Sequence, residues 1–147
     1  MTRNPDEILQ QGCTILDEVL QRHGFRREEI VSGKGSGGNF ATTTYANGDR
    51  KLEIHFRFSL GLVTYYMGSA SVSHESLMRA VLGSKGGNKY PCFSDAPADS
   101  FRGLAYDLET FAQSFLAGDT AEFSRYIALA KKQSAVTGFA RLAESES

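Results

Sequence analysis

Glu53, His55 and Arg57 alternate with Leu52, Ile54, Phe56 and Phe58 in a strict two-residue rhythm. A strand sends next-but-one side chains to one face, so this stretch presents an acid, an imidazole and a guanidinium side by side. Two chemistries fit that trio. As a polar binding face, Arg57 meets an anionic group while His55 donates or accepts near neutral pH. In a cleft, the same pair suits a small hydrolase or transferase, with His55 as acid or base and Arg57 steadying a negative charge. The plainer alternative is a wetted sheet face whose mixed charges stabilise cross-strand pairs by roughly a fraction of a kcal/mol each. Tyr45, Thr43, Thr64 and Tyr66 are expected on this face too, and would give it the amphipathic aromatic character of protein interfaces.

No other group of residues has the spacing that a named chemistry demands. His55, His74, Asp95 and the cysteines lack the paired spacing of a zinc site, so no metal and no cofactor is expected. His74-Glu75 falls at a helix start, where Glu75 complements the helix dipole, and Asp95 and Asp99 are explained in the same way. Cys13 lies in a helical stretch and Cys92 beside Pro91 with no base adjacent, which reads as thiols in a reducing compartment. The glycine-rich stretches Gly33 to Gly38 and Gly83 to Lys89 lack the order of a phosphate loop and read as flexible connections.

Charge and length narrow the classes further. Sixteen basic residues face seventeen acidic ones in 147, a formal charge of −1, so there is no net pull toward nucleic acid. No apolar run approaches the roughly twenty residues of a membrane span, and the default placement is cytoplasmic.

The elements that must carry the trio can be read from periodicity. Apolar residues from Ile8 to Leu20 follow helical spacing, with Pro5 in the first turn and Gly24 as the stop. Phe40 to Tyr45 reads as a strand, and Asn47-Gly48 as a hairpin turn into the strand that opens at Arg50. Of two candidate registers, a two-residue turn sets Phe40 opposite His55. A three-residue turn with Gly48 left-handed sets Phe40 opposite Ile54 and is preferred, because it keeps Phe40 on the apolar face. Leu62 to Met67 supplies either a third strand or a bulged continuation. Ser73 caps a short helix closed by Gly83, Pro97 opens a strong amphipathic helix ending at Gly118, and Asp119 with Glu122 starts a last helix through Lys132.

These elements predict an α+β domain: an antiparallel sheet of about three or more strands covered by helices, with an N-terminal helix and C-terminal helices. It is expected to be a single domain over residues 1–134, with 135–147 as a frayed tail.

The segment His55 to Tyr65 and the segment Tyr90 to Pro97, running into Phe101-Arg102, resemble a family of small bacterial proteins without an assigned activity. The resemblance covers roughly residues 50 to 120 and carries no catalytic or ligand residues onto this chain. The layout is also similar, in architecture alone, to some immunity proteins of bacterial toxin systems. The resulting expectation is a protein-binding module of immunity or regulatory type using Glu53, His55, Arg57, Tyr45 and Tyr66. Its partner is another protein, and a homodimer through the sheet is the accompanying expectation, since Tyr65, Tyr66 and Met67 offer more apolar surface than one sheet face buries.

Overall fold

Helix α1, Pro5–Arg22, repeats Leu9, Cys13, Leu16, Val19 and Leu20 on one side, and all five are buried. Its stop is local chemistry. Gly24 takes φ +84°, a left-handed value that an L side chain resists, and the Phe25 amide bonds back to the Leu20 carbonyl at 3.0 Å. In the computed structural model, residues 5–35, 38–56, 60–83, 85–90 and 96–145 are described.

After α1 the chain lays down an antiparallel sheet of six strands: β1 (Arg26–Arg27), β2 (Val31–Gly35), β3 (Gly38–Asn47), β4 (Arg50–Phe56), β5 (Leu60–Met67) and β6 (Ala70–Ser73). β1 and β2 pair with successive parts of β3, and β3 to β6 then follow in chain order. Leu60–Met67 is thus a separate strand rather than a bulged continuation of β4. The first glycine-rich stretch also departs from expectation: Val31–Gly35 pairs residue for residue with β3 instead of forming a free connection. Glycines carry little strand propensity, and pairing to the ten-residue β3 overrides it.

Both candidate registers for the first hairpin are corrected. Asn47 stands opposite Arg50, so Gly48 and Asp49 are the two central residues, and Ala41 faces Phe56. Gly48 takes φ +64° at the first central position, where a tight hairpin turn needs glycine. The β5–β6 hairpin repeats the device, with Met67 opposite Ala70 and Gly68 at φ +61°. The Gly68 amide bonds to the Asp49 carbonyl at 2.9 Å and ties the two hairpin tips together.

Four helices complete the layer over one sheet face. α2 (His74–Leu82) is capped by Ser73, whose hydroxyl accepts the Ser76 amide at 3.2 Å, and is closed by Gly83. The strong helix after Pro97 is interrupted at Ala112, giving α3 (Pro97–Phe111) and a one-turn α4 (Gln113–Ala117) that ends in left-handed Gly118. α5 (Thr120–Ser145) starts with Asp119 accepting the Glu122 amide at 3.1 Å, and its backbone continues past Lys132 into the segment expected to fray. Ala, Leu, Arg and Glu in that segment are good helix formers.

The core lies between the helices and the sheet face carrying Ala41, Tyr45, Leu52, Ile54, Phe56, Val63 and Tyr65. Its centre is aromatic: Phe115 stacks on Phe25 at 5.2 Å, meets Tyr65 edge-on at 5.0 Å and lies 5.1 Å from Phe123. Arg50 locks the hairpin to this layer. Its Nη1 donates to the Phe115 and Leu116 carbonyls at 2.5 and 3.0 Å, and its guanidinium lies 5.0 Å from the Phe25 ring centre. A cation at those carbonyls also complements the negative end of α4.

Candidate functional site: the open face of the sheet

The register decides which side chains look outward. Directly paired residues share a face, so the outward side of β4 carries Lys51, Glu53 and His55. They are joined by Thr42, Thr44 and Ala46 from β3 and by Leu62, Thr64 and Tyr66 from β5. Glu53, His55 and Tyr66 are therefore brought together as expected. Arg57 lies outside the described residues, as do Cys92 and Asp95.

Tyr45 is the correction. The turn centred on Gly48-Asp49 sets Tyr45 opposite Leu52, on the core side, and Thr43 opposite Ile54 with it. Both are buried. Instead of facing a partner, the Tyr45 hydroxyl donates to Asp17 Oδ1 at 2.7 Å, and Asp17 also faces the Arg27 guanidinium at 3.8 Å. The reverse exchange happens to Phe40, which the same register moves from the expected core to the open face. There its ring stacks on His55 with centroids 5.3 Å apart. The His55 Nδ1 lies 3.0 Å from the Thr42 hydroxyl, so one ring nitrogen and one ring face are already engaged.

Two rows of residues cross the face at adjacent levels. One row reads Arg26, Ala46, Lys51, Tyr66 and Ser71 across neighbouring strands. The next contains Thr44, Glu53, Thr64 and Ser73, and Glu28 joins it through its amide bond to the Thr44 carbonyl at 2.7 Å. A shallow depression of about 550 Å³ lies over both rows, lined by Glu28, Thr44, Lys51, Glu53 and Tyr66 with Asp49 at one end. Two of the large apolar side chains left bare are Val31, 64% exposed, and Leu62, 60% exposed. Val31 pairs with Thr42, and Leu62 precedes inward-facing Val63, so both belong to the open face.

The residues that most resemble catalytic machinery lie elsewhere and are sealed. Tyr65 Oη is 2.7 Å from His74 Nδ1, and His74 Nε2 is 2.9 Å from Asp107 Oδ2. Asp107 also accepts the Lys89 amide at 2.7 Å and the Tyr90 amide at 2.9 Å. An ionised carboxylate only accepts, so His74 Nε2 donates to Asp107, and in the neutral imidazole Nδ1 accepts a hydrogen bond from the Tyr65 hydroxyl. Both ring nitrogens are thus occupied, and Tyr65, His74 and Asp107 are at most 2% exposed. The relay fastens α2, α3, β5 and the Lys89-Tyr90 backbone to one another. The sequence signal was present but faint: Asp107 sits three residues after Leu104, inside the apolar stripe of α3.

Burial pushes the phenols of Tyr65 and Tyr45 well above their usual range and Tyr90 up to about 12, with Asp107 adding to the shift at Tyr65 and Cys13 and Asp17 at Tyr45. A raised folded value means stability fully present below the unfolded phenol value of about 10 and lost as pH rises toward the folded ones. The expected result is a steady fall in the denaturant midpoint from about pH 10 upward, made shallower by Tyr65→Phe. Equal midpoints across that window would show that these phenols ionise without unfolding. Burial likewise raises the Cys13 thiol, which keeps it protonated and unreactive in the fold.

Among the described residues no three His, Cys, Asp or Glu side chains converge on a metal-sized site, and no helix is long and apolar enough to cross a membrane. The architecture defines an α+β protein with a helix-covered antiparallel sheet and one open sheet face. In comparisons with protein-family models, curated proteins and solved structures, nothing matches this chain.

Proposed function

We propose that the chain is a protein-binding module, of immunity or regulatory type, that works through its open sheet face. The observation that carries this reading is the pairing of bare apolar side chains, Leu62 and Val31, with the Phe40–His55 stack and Tyr66 on one uncovered surface. Such a mixture of aromatic, aliphatic and charged groups around a shallow depression is what protein partners seat upon. The enzyme reading has less support. It needs His55 in a cleft, whereas His55 lies on a face with its ring against Phe40 and its Nδ1 at Thr42. A reducing cytoplasm suits the free, buried thiol of Cys13.

The test is capture of the tagged chain at native expression level beside a variant carrying Glu53→Ala, His55→Ala and Arg57→Ala. A protein retained in stoichiometric amount by the parent and lost by the variant, with the thermal transition nearly unchanged, supports the reading. Hydrogen exchange should then slow in β3 and β4 of the complex. Retention by both forms would place the interface elsewhere, and retention by neither would return weight to a small-molecule or enzymatic role.

A further inference from the structure

The two rows on the open face carry opposite charge at matched levels. Arg26 and Lys51 lie in one row; Glu53, one next-but-one step along β4, lies in the next, where Glu28, just past the end of β1, is held at the level of Thr44 by its amide bond. A two-fold axis lying in the plane between two such faces, crossing β4 at right angles between Lys51 and Glu53, exchanges the rows. It sets Lys51 of one copy against Glu53 of the other, and the reverse. The same operation sets Arg26 against Glu28, and carries His55 to the level of Asp49 at the hairpin tip. In the neutral columns it sets Thr64 against Tyr66 and Thr44 against Ala46. No like charges meet among these pairs.

We infer that the partner this face fits is a second copy of the same chain, docked face to face with the strands of the two copies antiparallel. This rests on the reading of the face as a protein interface and names its occupant. Self-complementarity is the property an isologous contact requires, and a surface evolved for an unrelated partner has no need of it. The area is sufficient. Five strand positions at about 4.8 Å and some eight residues at about 3.3 Å cover about 600 Å² per copy. Two copies then bury about 1,200 Å², above the roughly 1,000 Å² that separates specific interfaces from chance contacts. Leu62 and Val31 supply apolar area, while the charge rows fix the orientation.

Sedimentation of the purified chain over a range of concentrations, with three variants, tests this. The parent is expected to dimerise. Lys51→Glu alone and Glu53→Lys alone each create like-charge contacts twice over by symmetry, and each should weaken the dimer on the order of tenfold or more. The double variant K51E/E53K restores opposite charges across the axis and should recover most of the parent's affinity. Lys51 is exposed and Glu53 looks away from the core, so circular dichroism should be the same for all four proteins. A parent that stays monomeric, a dimer indifferent to the single reversals, or a double variant no better than the singles would each overturn the inference. A monomeric parent that still captures a different protein through Glu53, His55 and Arg57 would leave the binding-module reading standing and remove only the second copy.

Discussion

Asp107→Ala should destabilise the protein by roughly 3–5 kcal/mol, a large part of the 5–15 kcal/mol by which domains of this kind are stable. The carboxylate accepts the Lys89 and Tyr90 amides and the His74 Nε2–H, and all three donors lose their acceptor together. Water does not reach the site easily, since His74 is 2% exposed and Tyr65 is fully buried. Each stranded donor costs about 1–3 kcal/mol, with some relief as the Lys89-Tyr90 backbone swings toward solvent. Asp107→Asn keeps the volume but points an NH₂ group at donors, so it should fall between parent and alanine. Urea denaturation reads the loss, and exchange of the Lys89 and Tyr90 amides should accelerate before the global transition. A change of less than about 1 kcal/mol would mean that the relay contributes nothing beyond filling space.

Gly12→Ala is expected to destabilise, against the direction that helix propensity gives. Alanine in place of glycine within a helix favours the helix by about 1 kcal/mol. At this position, however, a Cβ would stand 2.4 Å from three carbons of the Phe101 ring, far inside contact distance. The ring has little room to yield, because it is fully buried and its other neighbours include Phe56 at a 6.2 Å centroid distance. Separating α1 from α3 to admit the methyl group costs about 1–3 kcal/mol in overpacking and lost contact, and Gly12→Leu costs more. After the roughly 1 kcal/mol that alanine's helix propensity returns, the net loss is up to about 2 kcal/mol and lowers the thermal midpoint by up to several degrees. A higher midpoint would show that the α1–α3 contact is loose enough to breathe.

How legible the fold was in the sequence followed from how local its signals are. Alternation from Leu52 to Phe56, the stripe of α1, and the Ser73 and Asp119 caps are short-range features, and each holds in the structure. The β3–β4 register was less accessible. Asn47-Gly48 and Gly48-Asp49 are both good turn pairs, and choosing between them alters the pairing of every residue on β3. What sent Tyr45 to the core and Phe40 to the open face was the loop length, two residues instead of the three expected, because an odd slip reverses the faces of β3. The relay was hidden for a different reason: Tyr65, His74, Asp107 and the Lys89-Tyr90 amides belong to four separate segments, so no spacing within one segment announces them. Glu53 and His55 could be placed because they needed only their own strand.

The pairing of Gly12 with Phe101 has a consequence for how the chain is made. From β2 to β6 every strand bonds to its neighbour in sequence, so the sheet can close soon after each hairpin leaves the ribosome. Helix α1 emerges first, yet the Phe101 side chain that covers Gly12 is synthesised far later. At about 5–20 residues per second, the apolar stripe of α1 waits roughly 4–18 seconds for that partner. The nascent chain therefore offers an amphipathic helix with one bare side during that interval, and chaperone dependence should be confined to it.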